Sequence, residues 1–352
     1  LRIEKKSLKN ICMILGSRIT IIGAGAWGTA LAIIANRAGA DVTLWSRSEK
    51  LAQEIQITRV NSQYLPNIFV DPAIKITADL DLAIKNTDLL LLSIPAQSIR
   101  GLSITLSDIM DIDIPIIIAS KGIERGSLLL MSEVIASTLP SNPLLILSGP
   151  NFAVEAANGL PTATVIACSD INIAQKIQFL IGGRYFRPYV SDDVVSVQIG
   201  GAIKNVIAIA CGIAIGAGME ENARAAIMTR GLKEMMRLAE IKGGRAETLR
   251  GLAGMGDLTL SCCSEKSRNM AFGINIGKMS MQKKNISGKS SEVPSTWHSL
   301  TEGVMTADAA YEISQKFGVP MPISVTTADI LKKRISVEEG IEALLARPLG
   351  GE

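Results

Sequence analysis

Residues 18–28 read RITIIGAGAWG: a β-rich run, Arg18 to Ile22, passes directly into G-x-G-x-x-G, and Thr29 to Arg37 follows with helical periodicity and closes at Gly39. Strand, glycine turn and helix in that order form the arrangement a pyrophosphate site needs. Gly23 permits the tight turn, Gly25 lets the backbone approach a phosphate, and Gly28 allows close packing of helix on strand. The helix N-terminus then presents unpaired N–H groups and a positive dipole end. The stretch therefore predicts a doubly wound α/β domain that binds a dinucleotide.

Downstream, the pattern agrees with that reading. Val42 to Trp45 is a second strand, and Leu89 to Ile94, Ile114 to Ala119, Leu144 to Leu147 and Thr162 to Ile166 are apolar runs bounded by polar residues. Continuous apolar strands alternating with helices imply a parallel sheet covered on both faces. After about Asp192, alanine and glycine rise and helical periods take over at Val195–Ala217, Ala223–Lys242, Glu302–Phe317 and Thr326–Leu331. The expectation is an α/β N-terminal Rossmann-like domain over 18–190 and an all-α C-terminal domain over 191–352. Gln282 to Ser299 is polar and reads as a loop.

The end of the second strand bears on which dinucleotide binds. Arg47 and Ser48 can accept a 2′-phosphate, which favours NADPH, while Glu49 keeps NADH open; a merely solvated Arg47 is the competing reading.

Composition narrows the function class. The chain has 352 residues, enough for two domains, and 47% are hydrophobic, enough for two cores. Only 4% are aromatic and the formal charge is +3, which argues against a nucleic-acid reader and suits a small anionic substrate. The five cysteines, Cys12, Cys168, Cys211, Cys262 and Cys263, match no zinc or redox spacing, so no metal is expected. The apolar patch Ile11–Leu15 is shorter than a signal-peptide core; with the cysteine pattern it points to a reducing cytoplasm. Ile199 to Gly218 has the length of a membrane span, but Lys204 and Asn205 lie inside it, so a buried core helix is expected instead.

Ligands in such sheets bind beyond the carboxyl ends of the strands, where Ser93-Ile94-Pro95, Ser120-Lys121-Gly122 and Ser148-Gly149-Pro150-Asn151 lie. Lys121, at a strand end before a glycine, either meets an anion or is a surface lysine. In GGAIKN, Gly200 to Asn205, Lys204 sits among Ile203, Val206 and Ile207; burial would bring its pKa toward neutrality and make it a proton carrier, unless it snorkels outward. The two glycines before it would let backbone or a ligand come close. Asp257 closes the glycine turn AGMGD, and Ser267-Arg268-Asn269 is either an anion-binding triplet or a capped helix start. The sole histidine, His298, lies in the polar loop and makes a poor catalytic acid.

Taken in order, GAGAWGTALA (23–32), NSQYLPN (61–67), SKG (120–122), SGPNFAVE (148–155), GGAIKNVIAI (200–209), TRGLKEM (229–235), AGMGDL (253–258), SRN (267–269) and VPMPI (319–323) resemble the bacterial NAD(P)-dependent glycerol-3-phosphate dehydrogenase family over about residues 18 to 345. The resemblance implies reversible reduction of dihydroxyacetone phosphate to sn-glycerol 3-phosphate for phospholipid synthesis, by a cytoplasmic homodimer. It makes Lys204 the proton donor and acceptor, and Lys121, Gly149, Asn151, Asp257, Ser267, Arg268 and Asn269 the substrate holders. Ala26, Trp27, Arg47, Lys121, Ala153, Arg268, Leu300 and Glu302 would face the cofactor. The competing readings are another dehydrogenase of Rossmann-plus-helical build, acting on a hydroxyacyl or sugar-acid substrate, and a non-catalytic NADPH sensor.

Overall fold

The computed structural model describes residues 16–111, 113–285 and 302–346. His298, Leu300 and most of the polar segment 282–299 lie outside them; its first residues, up to Asn285, continue a helix instead of starting a loop.

The chain forms two compact units. One runs to Ser120 and resumes at Met131–Val194; the other comprises Lys121–Leu130 and everything from Val195 on. The division is thus not the contiguous one expected. Ile123, Leu128 and Leu130 are buried in the same apolar cluster as Ile199, Ile203 and Met235, so this short excursion packs with the second unit.

The first unit is built on β1 (Arg18–Ile22), β2 (Asp41–Trp45), β3 (Val60–Asn61), β4 (Leu65–Phe69), β5 (Lys75–Thr77), β6 (Leu89–Leu92), β7 (Ile116–Ile118), β8 (Leu144–Ser148), β9 (Thr162–Ala167) and β10 (Phe186–Ser191). Eight of these strands make one sheet in the order β10-β9-β8-β7-β6-β1-β2-β5, while β3 and β4 form a separate antiparallel pair. Leu89–Leu92 is buried at every position, as a central strand covered on both faces must be. Ile21 lies between Leu44 and Leu91 in register, which sets β1 between β2 and β6, where strand order reverses. All neighbours pair in parallel except β8 and β9, which are antiparallel with Leu147 opposite Ile166. An antiparallel return needs no long crossover, and the link between them holds only the short helix Ala153–Ala157. The strand β10 escapes a reading by pattern because Pro188 interrupts it; as the edge strand it tolerates a residue with no N–H.

In the second unit, α1 is Val194–Gly216, α2 Glu221–Ile241, α3 Asp257–Cys262, α4 Arg268–Asn285, α5 Glu302–Phe317, α6 Pro322–Leu331 and α7 Val337–Leu345. The helix α1 is long and apolar enough to cross a membrane, yet 83% of its apolar window is buried inside the protein, so it is the core helix. It meets α4 backbone to backbone. A Cβ on Gly212 would stand 2.3 Å from the Met270 carbonyl oxygen, and one on Gly277 would stand 2.3 Å from that of Ile213. The helix α6 starts four residues before the periodic stretch, because Pro322 occupies its first turn, where a missing N–H costs nothing.

Candidate functional site

In the first unit, the glycine turn has the form its sequence dictates. Gly23 has φ +113°, and a Cβ there would lie 2.4 Å from the Ser93 carbonyl oxygen. A Cβ on Gly28 would lie 1.8 Å from the carbonyl oxygen of Gly23, so helix and strand touch only because both residues are glycine. Gly25 differs: apart from its own chain neighbours, no described atom lies within 4 Å of where its Cβ would be. Packing therefore does not demand glycine at 25, and the open space there suits the close approach of a phosphate. The following helix, Ala26–Arg37, has no side-chain cap, which leaves its first N–H groups for a ligand. These features fit a dinucleotide. The turn is held by buried Asn61, whose amide donates to the Ala24 carbonyl (2.8 Å) and the Thr29 hydroxyl (2.8 Å). Asn61 was visible only as part of a block, since nothing local in NSQYLPN shows that it reaches back over thirty residues.

Arg47 is exposed at the carboxyl end of β2 and has no bonded partner among the described residues. Ser48 is less available: its hydroxyl caps the helix Glu49–Thr58 by accepting from the Leu51 N–H. Also in this unit, Gly149 has φ +157°, and a Cβ there would press on Thr164 Cα at 2.9 Å. The Asn151 amide donates to the Ala163 carbonyl at 2.7 Å, which pins the turn after β8. Ala153 begins the short helix beyond it.

The second unit gathers the ionisable candidates. Lys204, on α1, is 8% exposed and donates to Asp257 Oδ1 (2.5 Å) and to Ser261 Oγ (2.7 Å). Lys121 donates to the other oxygen of the same carboxylate, Oδ2, at 2.5 Å. Asp257 is thus shared between two ammonium groups, and 1% of its side chain is exposed. Burial lowers the pKa of Lys204 to about 8, with Lys121 acting the same way and Asp257 opposing. Glu302, at the start of α5, has its carboxyl raised by burial, against the pull of Arg268, Lys121 and Lys204. Three cations, Arg268, Lys121 and Lys204, thus lie within electrostatic reach of Glu302, and the two lysines hold Asp257. Among the described residues Lys204 uses two of its three N–H donors on protein atoms, which leaves one for a ligand. Ser261 was not among the expected residues; it follows Asp257 by four positions on α3, so helical spacing puts both on one face.

The Ser267-Arg268-Asn269 triplet forms the capped helix start of its second reading. Buried Ser267 precedes α4 and accepts from the Met270 N–H at 3.4 Å, as a cap does, while Arg268 is exposed at the first helical position. Asn269 has a packing role as well: it donates to Asn205 Oδ1 and accepts from the Gly303 N–H, tying α1, α4 and α5 together. Of the two glycines before Lys204, Gly200 lets backbone come close: it packs against Ala253, where a Cβ would lie 2.2 Å from the carbonyl oxygen. Among the described residues no cluster of His, Cys, Asp and Glu could hold a metal ion.

Comparison with known proteins accords with this arrangement. Residues 18–174 match the model of the NAD-dependent glycerol-3-phosphate dehydrogenase N-terminus, and residues 193–342 match that of the C-terminus. The chain is 43% identical over 332 residues to a glycerol-3-phosphate dehydrogenase [NAD(P)+] of Rhodospirillum rubrum, covering 94% of this chain and 93% of that one. It is 42% identical to the protein of the same name from Parvibaculum lavamentivorans, covering 95% and 98%. The crystal structure of a glycerol-3-phosphate dehydrogenase from Coxiella burnetii superposes with a TM-score of 0.85 at 34% identity, covering 94% of this chain and 99% of that one. A uncapped phosphate turn with an open glycine, a lysine pair bound to one carboxylate, and matches over both halves lead to one conclusion: the chain belongs to the NAD-dependent glycerol-3-phosphate dehydrogenase family.

Proposed function

We propose that the protein catalyses the reversible, NAD(P)H-dependent reduction of dihydroxyacetone phosphate to sn-glycerol 3-phosphate, with Lys204 as the proton donor and acceptor. The observation that carries this reading is the buried Lys204 ammonium, fixed by Asp257 and Ser261 with one donor left over among the described residues and a pKa of about 8. When bound, a reduced nicotinamide supplies hydride to the carbonyl carbon. As negative charge grows on the carbonyl oxygen, the Lys204 ammonium stabilises it and then transfers its proton, giving the alcohol. In the opposite direction the neutral amine takes the hydroxyl proton. Asp257 keeps the amine in place, and Lys121 adds positive charge to the same pocket.

Arg268, at the exposed start of α4 with Ser267 and Asn269, offers a guanidinium and a helix N-terminus to the phosphate. Gly149 and Asn151 would complete the substrate contacts. Ala26, Trp27, Arg47, Lys121, Ala153, Arg268 and Glu302 would face the cofactor, with Arg47 reading the 2′-phosphate of NADPH. A cytoplasmic homodimer completes the reading, and its mass in solution can be checked by light scattering. The decisive assay is oxidation of NADPH and of NADH in the presence of dihydroxyacetone phosphate. Turnover that needs this substrate supports the proposal; cofactor binding without turnover would mark a sensor, and turnover only with hydroxyacyl or sugar-acid substrates a different dehydrogenase.

A further inference from the structure

The catalytic pair lies one helical turn beyond an unusually close backbone contact. Gly200 and Lys204 are four residues apart on α1. Ala253 and Asp257 are four residues apart across a π-helical turn, Leu252–Gly256, that runs into α3. Gly200 faces Ala253, and Lys204 faces Asp257, so the contacts step along both segments together. At the first step no side chain intervenes. A Cβ on Gly200 would stand 2.2 Å from the Ala253 carbonyl oxygen and 3.1 Å from a Leu249 methyl carbon. The turn is equally tight on its own side, where a Cβ on Gly254 would stand 2.0 Å from the Leu249 carbonyl oxygen. Neither segment can approach further, and any added atom drives them apart. Because the π turn is a wider coil than the α-helix that follows, it also fixes the direction in which Asp257 leaves.

We propose that Gly200 is a positioning residue for the reaction: its bare Cα sets the spacing of the two segments that carry Lys204 and Asp257. The inference rests on Lys204 as the proton carrier. It separates a chemical task from the packing that glycines perform elsewhere on the same helix. Gly212 makes an equally tight contact with α4, but it lies two turns beyond Lys204, and its nearest neighbours are Met270, Gly273 and Ile274.

The experiment compares Gly200→Ala with Gly212→Ala in the full-length protein, reading kcat for dihydroxyacetone phosphate reduction against pH, the KM for NADPH, and the Tm. A shift of about 1 Å at the amine lowers kcat by about 10²-fold in Gly200→Ala, with the KM for NADPH unchanged. With Asp257 farther off, the amine loses the charge that holds its proton, so the inflection near pH 8 moves to lower pH. Gly212→Ala lowers the Tm and leaves the inflection in place. If Gly200→Ala keeps the wild-type inflection and kcat, or if Gly212→Ala moves the inflection as far, the proposal is overturned. Should Gly200→Ala not fold, Leu249→Ala perturbs the same contact by opening room instead of adding an atom. A folded Leu249→Ala with a wild-type pH profile would equally overturn it. Lys204→Met is run alongside: an active Met variant refutes the proton-carrier reading itself, whereas an inactive one beside an unaltered Gly200→Ala refutes only the positioning role.

Discussion

Asp257 gives one carboxylate oxygen to Lys204 and the other to Lys121, and this sharing explains how a buried lysine remains charged at neutral pH yet close enough to neutrality to give its proton away. Burial alone would strip the charge, and Asp257 restores part of it, leaving a pKa of about 8. In the proposed mechanism reduction needs the ammonium and oxidation needs the amine. We expect kcat for dihydroxyacetone phosphate reduction to fall as pH rises through about 8, and kcat for glycerol 3-phosphate oxidation to rise through the same range. Parallel changes in both directions would remove Lys204 from the proton step. Lys204→Met keeps the aliphatic stem, so folding and NADPH binding persist while kcat drops by about 10³-fold in steady-state assays. Arg47 is exposed and unbonded among the described residues, so Arg47→Ala raises the KM for NADPH and leaves that for NADH nearly unchanged. Equal effects on the two would show that it does not read the 2′-phosphate. Arg268 is also exposed, so Arg268→Ala costs substrate binding about 2 kcal/mol, the value of a charged hydrogen bond. Titration with unphosphorylated dihydroxyacetone should show a much smaller loss.

At the scale of elements, buried Glu234 on α2 serves as the cap that α6 lacks. Its carboxyl accepts from the Ile323 N–H, the Ser324 N–H and the Ser324 hydroxyl. Desolvation nevertheless raises it from 4.5 to about 7, despite those three donors. The folded state therefore holds a proton between about 4.5 and 7 that the unfolded chain has released, and stability from this group declines as pH rises across that window. Glu234→Gln should flatten the dependence of Tm on pH there, and calorimetry at several pH values measures it; an unchanged slope would assign the dependence to other groups. Glu234 also shows where sequence reading stops. TRGLKEM gives no sign that its glutamate reaches a helix start some ninety residues later, because a cap of this kind is tertiary. By contrast β1, the glycine turn and β6 were legible, since local sterics and unbroken apolar runs determine them. The long helix α1 was legible as well, and so was the close approach at the glycines before Lys204, although not the segment that approaches. Periodicity shows that a small residue belongs to a helix but not which backbone it will touch. Lys204 stood out as a charge in an apolar run, whereas its pairing with Asp257 depends on a crossing that no local pattern encodes.

For the molecule as a whole, the near-balanced charge and the burial of α1 set how the protein behaves in solution. Flotation with phospholipid vesicles should leave it at the bottom of the gradient; co-flotation would mean that α1 leaves the core. Saturating NADPH should raise the Tm, by about 2.7 kcal/mol of added stability at a hundredfold excess over Kd, because only the folded chain has the phosphate turn. A Gly25→Val variant should lose that increase while keeping the Tm of the free protein, since, apart from its own chain neighbours, no described atom lies within 4 Å of the added Cβ.

The excursion Lys121–Leu130 has a consequence for synthesis. Its apolar residues Ile123, Leu128 and Leu130 leave the ribosome well before Ile199, Met235 and Ile323, the partners that bury them. At about 5–20 residues per second, the first of those partners follows by several seconds and the last by tens of seconds. During that interval the strands on either side can already pair, while this loop stays exposed and adhesive. The ribosome-bound nascent chain should therefore present its greatest chaperone affinity here, in the middle of a unit otherwise able to fold. It is also the segment in which slow translation would do most harm.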